Sequence, residues 1–273
     1  MIFKIDSYQK NWQKINSSTI INPQLSLEKP IPLNIFNSIP STNTKLWELI
    51  DSGIEFPAGA IALEQTAGKG QWGHSWISEA GGLYLSVGLK LDLAIAHYPH
   101  LVMATAWGIA TVLRSYNLPV MIKWSNDLIL ERRKLGGIKL ETRNNANKLK
   151  QAVVGVGINW RNSVTEPGIN LVSYQQQKNS STINSLEELT AIAAYGILLG
   201  YKYYLGFGIE QLLDKYLAIL NSLGQKVNIN GASGEVIGVT TEGKLRVKLR
   251  SPGATTEINL KPGQISLGYD YSS

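Results

Sequence analysis

Apolar positions along the chain change their spacing several times, and each change marks an element. From Leu101 to Arg114 the residues Val102, Met103, Ala106, Trp107, Ile109, Ala110, Val112 and Leu113 cover most sides of a helix. The run is too long for a strand and predicts a buried helix that Pro119 stops. Apolar residues at 209, 212, 213, 216, 217 and 220 predict another, with one wide buried stripe from Ile209 to Leu220. Ser41-Thr42-Asn43 before Lys45–Ile50 reads as a capped helix, and Ser185-Leu-Glu-Glu188 as a capping box. Shorter apolar runs predict strands over Phe56–Leu63, Leu83–Leu89, Val120–Trp124, Leu128–Leu130, Leu135–Glu141 and Gln151–Gly157. The polar stretch Arg143–Lys148 fits a hairpin tip.

This order predicts an α/β (α+β) domain built on a mixed sheet with antiparallel pairs, over residues 35–222. Beyond Leu223-Gly224 the texture shifts to short runs around Val227, Val236, Val239, Val247 and Ile258, divided by Gly and Asn turns. That predicts a small β-barrel of SH3-like size over 223–273, capping the larger domain. Residues 1–34 are largely polar, with prolines at 23, 30 and 32, and read as an irregular lead-in with a short strand. Tyr174–Ser185, rich in Gln, Asn and Ser, reads as an exposed connection.

Composition narrows the chemistry. The 273 residues include no cysteine, which removes disulfides, thiolate ligands and Cys nucleophiles. His74, His97 and His100 do not make a metal cluster, the last two reading as a helix-start pair. No run of eighteen apolar residues occurs, and the start lacks the basic and apolar regions of a signal peptide, so a cytoplasmic location without membrane contact is expected. A formal charge of +6 suits a polyanion, a nucleotide or an acidic protein. Without a recognition helix or zinc-finger pattern, specific DNA binding is not expected.

Two segments carry chemistry. In Glu64-Gln-Thr-Ala-Gly-Lys-Gly-Gln-Trp-Gly-His-Ser-Trp76, three glycines allow sharp turns around Lys69, and Trp72 and Trp76 supply π surface. The loop Gly68–Gly73 is expected to be mobile without ligand and to close over an anion. In Lys123-Trp-Ser-Asn-Asp127 and Lys134-Leu-Gly-Gly-Ile138, two lysines stand near glycines that leave space above the backbone. One reading is a structural ion cluster among Lys123, Asp127 and Glu141. The other is an anion site in which Lys134 stabilises charge on a carboxylate and a phosphate, with Asp127 or a nearby carboxylate holding Mg²⁺.

Ser41-Thr-Asn43, Glu64–Gly70 with Trp76, Gly82-Leu-Tyr-Leu-Ser86, Lys123–Leu128, Arg133–Ile138 and Val154-Gly-Val-Gly-Ile-Asn159 together resemble the catalytic domain of biotin–protein ligases, in order and spacing, over roughly residues 35–270. The resemblance implies a class II aminoacyl-tRNA synthetase-like domain followed by an SH3-like domain. It implies that biotin and ATP form biotinyl-5′-adenylate with release of pyrophosphate, and that biotin then passes to a lysine of the biotin carboxyl carrier protein of acetyl-CoA carboxylase. By the same resemblance Ser41, Thr42, Gln65, Gly68, Lys69, Lys134 and Gly137 would hold biotin, with Lys134 and Lys69 the catalytic cations. Gln71, His74, Trp76, Asn126 and Asn159 would lie along the nucleotide, and Asp127 would bind Mg²⁺. No haem, flavin, zinc or nicotinamide is implied. The expected assembly is a monomer or a ligand-dependent homodimer.

The chain departs from the family's common pattern at two places. A loop that often reads Gly-Arg-Gly-Arg-x-Gly-Arg is here Gly68-Lys-Gly-Gln-Trp-Gly-His74, which weakens bidentate phosphate contact. Ser125 stands where proline is usual. Only about 35 residues precede the ligase core, so the winged-helix DNA-binding domain of bifunctional members is not expected. Lipoate–protein ligases and octanoyltransferases share the superfamily, but the transferases rely on a cysteine that this chain lacks.

Overall fold

The computed structural model describes residues 2–18, 27, 29–251 and 254–269. Its centre is a seven-stranded sheet made of β1 (Leu33–Ile39), β2 (Ala58–Gln65), β3 (Leu83–Ala94), β4 (Met121–Lys123), β5 (Asp127–Leu130), β6 (Arg133–Asn145) and β7 (Lys148–Ile158). The spatial order is β1-β2-β3-β7-β6-β5-β4, parallel only between β1 and β2. Strands β6 and β7 form the long hairpin that the polar stretch foretold, turning at Ala146 and Asn147, both in the left-handed region.

Helix α2 (Thr42–Asp51) covers one sheet face, where Leu46 and Ile50 pack on Ala58, Ala60 and Val153. Ser41 occupies its N-cap position without a side-chain capping bond. The other face carries α3 (Tyr98–Ser115) and α5 (Leu186–Leu217), both apolar nearly all round because each is enclosed by sheet and neighbour. They cross with backbones almost touching. A methyl group added at Gly108 would lie 2.1 Å from the carbonyl of Gly196, so only glycine permits this approach. Ser185 accepts from the Glu188 amide at 3.1 Å and so opens α5 as expected. The helix expected over Ile209–Leu220 starts where expected and runs to Leu217. It is the second limb of α5 beyond a break at Gly208 (φ 78°, ψ −178°), with Leu212 and Tyr216 buried.

The irregular lead-in is corrected. Ile5–Asn16 forms helix α1, which buries Tyr8, Trp12 and Ile15 against the core. Pro23 lies outside the described residues. The connection at Tyr174–Ser185 is only partly exposed, since α4 (Leu171–Gln177) buries Tyr174 and Gln175. The Gln175 side chain bonds to Thr182 and Ile183 and ties the loop down.

The C-terminal residues build β8 (Lys226–Ile229), β9 (Ala232–Val239), β10 (Leu245–Ser251) and β11 (Ala254–Leu260). Among the described residues they form a four-stranded antiparallel sheet, β11-β10-β9-β8, rather than a closed barrel. Val236, Val239, Leu245 and Val247 join the same core cluster as α3 and α5. Trp124 Nε1 donates to the Gly243 carbonyl at 3.1 Å, and a His100 ring nitrogen lies 2.7 Å from the Thr241 carbonyl. Burial lowers the basicity of His100 and favours its neutral form there. Among the described residues no helix is long and apolar enough to cross a membrane.

Candidate active site

A cavity of about 550 Å³ opens where the N-terminus of α2, the end of β2, the turn between β4 and β5, and the β6–β7 floor converge. Its floor is low because Gly137 of β6 pairs with Gly157 of β7, and Lys139 with Gly155. A methyl group at Gly157 would lie 2.5 Å from Trp76 Nε1, and one at Gly155 would lie 2.3 Å from Asn43 Oδ1. The missing side chains are what allow Trp76 and Asn43 to rest on the sheet.

One end is a network of small polar groups. Gln65 Oε1 accepts from the Thr42 amide at 2.8 Å and the Thr42 hydroxyl at 3.1 Å, while Gln65 Nε2 donates to Ser78 Oγ at 2.8 Å. Ser86 Oγ lies 2.8 Å from Thr42 Oγ1 and 2.6 Å from Asn43 Oδ1. Ser41, Thr42 and Asn43 are all buried and line the cavity. Asn43 Nδ2 and Trp76 Nε1 are buried against the glycine floor without a hydrogen-bond partner.

The other end is cationic. Among the described residues, Lys69, Lys123, Lys134 and Lys139 line the cavity against one carboxylate, Asp127, a surplus of three positive charges (four minus one). Lys134 Nζ stands 2.9 Å from Asp127 Oδ1 and 5.4 Å from the Trp76 ring centre. Lys134 is clamped through its backbone, its amide donating to the Pro167 carbonyl and its own carbonyl accepting from Ile169. Lys123 lies 3.4 Å from the ring centre of Tyr269, and burial lowers its pKa to about 8. The Tyr269 hydroxyl donates to Asp127 Oδ2, and burial together with that carboxylate raises its pKa, so it stays protonated.

The expected residues Ser41, Thr42, Gln65, Lys69, Gln71, His74, Trp76, Asn126, Asp127, Lys134 and Gly137 meet in this one cavity. Asn126 is pinned to β6, its Nδ2 donating to the Ile138 carbonyl at 2.7 Å. Two expected residues lie off the cavity lining. Asn159 is buried behind Lys134, its Nδ2 3.3 Å from the Lys134 carbonyl and its Oδ1 accepting from Asn162 Nδ2 at 3.2 Å. Gly68 sits in the base of the loop, where an added methyl would meet the Trp76 carbonyl at 2.3 Å and Ser78 Oγ at 2.4 Å. Gly68 thus belongs to the packed base of the loop.

Two other expectations change. The ion cluster of Lys123, Asp127 and Glu141 does not form, because Asp127 pairs with Lys134 and Glu141 with Lys139. Asp127 also does not fit a resident magnesium. One of its oxygens faces Lys134 and the other Tyr269, and among the described residues no group of three His, Asp or Glu side chains could hold a metal. Sequence reading also missed Asn43, Lys139 and the segment Pro262–Leu267 with Tyr269, which closes one side of the cavity. Alternation along β6 could have found Lys139, two residues after Gly137 and on the same face. Nothing local marks Tyr269.

Residues 35–159 match the sequence model of the Biotin/lipoate A/B protein ligase family. Beyond that match, the chain is similar to biotin–protein ligases in sequence and in fold. It is 27% identical over 270 residues to the bifunctional ligase/repressor BirA of Salmonella typhimurium, covering 90% of this chain and 84% of that one. It is 24% identical over 206 residues to the biotin–[acetyl-CoA-carboxylase] ligase of Paracoccus denitrificans, covering 73% and 85%. The chain spans 63% to 66% of the length of three further BirA relatives. In fold it is similar to the biotin protein ligase of Aquifex aeolicus solved with biotin and ATP, with a TM-score of 0.64, 20% identity, and coverage of 84% of this chain and 99% of that one.

Proposed function

We propose that the protein is an ATP-dependent biotin–protein ligase that acts on the biotin carboxyl carrier protein of acetyl-CoA carboxylase. The observation that carries this reading is the joining of the Thr42–Gln65 polar network and the Lys134 cation across one glycine floor. Such a cavity suits a ligand with a compact polar ring at one end and a carboxylate at the other. Ser41, Thr42 and Gln65 would take the ureido group, and Gly137 would leave room for the chain leading to the carboxylate.

In the first step a carboxylate oxygen attacks the α-phosphorus of ATP, the bond to the β-phosphate bridging oxygen breaks, and pyrophosphate leaves. Both reactants are anions. Lys134, with Lys69 on the loop, offsets their repulsion and the charge that develops on the phosphoryl oxygens. Trp76, Asn126, Gln71 and His74 line the nucleotide side, while Asn159 supports the Lys134 backbone from behind. Magnesium belongs to this scheme as the counter-ion of the nucleotide substrate, not as a resident of Asp127. In the second step a neutral lysine amine of the carrier attacks the acyl carbon, the bond from that carbon to the bridging oxygen breaks, AMP leaves carrying that oxygen, and the amine proton passes to solvent. The loop over the cavity keeps water from the mixed anhydride in between.

Pyrophosphate release by the purified chain tests the reading. Release should require biotin, with lipoate and octanoate poor substitutes. Equal or faster turnover with lipoate or octanoate would remove the biotin assignment in favour of the superfamily's other acyl groups.

A further inference from the structure

Among the described residues the four cavity lysines all engage side chains: Lys69 the Thr44 hydroxyl, Lys123 the Tyr269 ring, Lys134 the Asp127 carboxylate and Lys139 the Glu141 carboxylate. Lys139 makes a further contact. Its ammonium donates to the main-chain carbonyl of Gly70 at 2.9 Å. Gly70 is where the glycine loop closes on itself, since its amide donates to the His74 carbonyl at 2.6 Å around the turn Gln71–Gly73. One cation on a rigid strand thus grips the neck of the loop.

Lys139 is itself held from behind. Glu141 Oε1 lies 3.6 Å from its ammonium, and Glu141 Oε2 accepts from Trp47 Nε1 of α2 at 2.9 Å. The row Trp47–Glu141–Lys139–Gly70 therefore links two walls of the cavity, the helix that starts at Thr42 and the loop that carries Gln71 and His74. Lys139 and Glu141 are 23% and 31% exposed, sheltered enough for the charge-assisted bond to matter.

We infer that Lys139 is a positioning residue that fixes the Gly70–His74 loop against the cavity and couples its closure to helix α2. The assignment deepens the proposed function and rests on it only in naming what the closed loop retains, an activated acyl-adenylate. The loop's Lys69 also reaches the Thr44 hydroxyl of α2 and its Gln71 the Ile138 carbonyl of β6, and the Lys139 bond is the tie made to its neck.

Hydrogen exchange on the ligand-free protein tests the anchor whatever the substrate proves to be. In Lys139→Met the amides of Gly70, His74 and Trp76 should exchange about tenfold faster, as expected for one lost charged hydrogen bond. The amides of Val153–Val156 in the same run report that the sheet is intact. Lys139→Arg, which keeps a donor, should retain most of the protection. Glu141→Gln keeps the Trp47 bond, removes the ion pair and should fall between. With biotin and ATP, Lys139→Met should raise the KM for ATP and release more adenylate to solvent, with Tm little changed. Unaltered exchange at the three loop amides in a folded Lys139→Met protein overturns the inference, as does equal loss of protection in Lys139→Arg. If Lys139→Met does not fold, wild-type exchange in Glu141→Gln overturns it and faster exchange confined to the loop supports it. Turnover of lipoate by the wild type would remove the biotin reading and leave the anchor standing.

Discussion

Lys134 Nζ and Asp127 Oδ1 stand 2.9 Å apart on the cavity wall, with side chains still 30% and 18% exposed. A pair this wet adds only about 1 kcal/mol or less to stability, because water screens it. Lys134→Ala should therefore leave thermal unfolding nearly unchanged. It should slow adenylate formation about a hundredfold or more, the scale seen when a donor to developing negative charge is removed. Lys134→Arg should recover only part of the rate, since a planar fork does not replace a compact ammonium. A single-turnover rate equal to wild type in the alanine variant would take Lys134 out of the chemistry.

Gly157 offers a test of the floor. In Gly157→Ala the new methyl would lie 2.5 Å from Trp76 Nε1, and the indole would have to lift. Ligand affinity should fall by about 1–3 kcal/mol, a typical overpacking cost, while circular dichroism stays native. Calorimetric titration with biotin and with ATP separates the two ends of the cavity. Unchanged affinity for both would mean that Trp76 is not part of the ligand surface.

The loop glycines should behave differently from one another. An alanine at Gly68 meets the Trp76 carbonyl and Ser78 Oγ, so Gly68→Ala should destabilise the ligand-free fold by about 1–3 kcal/mol. Gly73 has φ +80° and open space around it, so Gly73→Ala should cost about 1 kcal/mol of local strain. Its effect should appear in loop exchange and adenylate retention and hardly at all in Tm. Equal Tm losses in the two variants would contradict the division between a packed base and a free tip.

Lys123 gives a pH signature. Burial lowers its pKa from 10.5 to about 8, so the unfolded chain binds more protons than the folded one between those values. Stability from this group therefore rises with pH from about 8 to 10.5, while its charging penalty is fully present below pH 8. Binding runs the other way. The cation that attracts phosphate is lost above about pH 8, so ATP affinity should fall there and binding should take up a proton. Lys123→Gln should flatten that dependence. Calorimetry in buffers of different ionisation enthalpy measures the proton directly, and a null result would exclude Lys123.

Tyr269 separates the two contacts of the C-terminal segment. Tyr269→Phe removes the bond to Asp127 and keeps the ring beside Lys123, whereas Tyr269→Ala removes both. Only the alanine variant should hydrate Lys123 and move the inflection in ATP binding above about pH 8. The same shift in both variants would mean that the hydroxyl, not the ring, shelters the amine.

Elements whose stabilising partner is periodic in sequence were legible without the structure. The buried helix α3, the β6–β7 hairpin and the capping box at Ser185 each announce themselves through spacing. Helix α1 carried the same kind of signal in Tyr8, Trp12 and Ile15, but the polar majority around them masked it. The motif residues named from resemblance converge because the start of α2, the end of β2 with the loop after it, the β4–β5 turn and the first residues of β6 meet over one glycine floor. Asn159 and Gly68 stand off the cavity lining because a motif gives residue type and not direction: Asn159 bonds the Lys134 carbonyl and Asn162, and Gly68 packs beside the Trp76 carbonyl.

By itself the sequence determined the sheet-centred α/β class, the absence of thiol chemistry and the residue types that a carboxylate and a nucleotide require. Tertiary structure alone decided which charges meet. Asp127 turns to Lys134 and Tyr269, Glu141 to Lys139 and Trp47, and the C-terminal segment closes the cavity from 142 residues away in the case of Tyr269 and Asp127. Periodicity records how a segment meets its own neighbourhood, whereas an ion pair between distant segments depends on how whole elements pack. That packing is set by the buried apolar surfaces of α3, α5 and the sheet together, which no local pattern of charges contains.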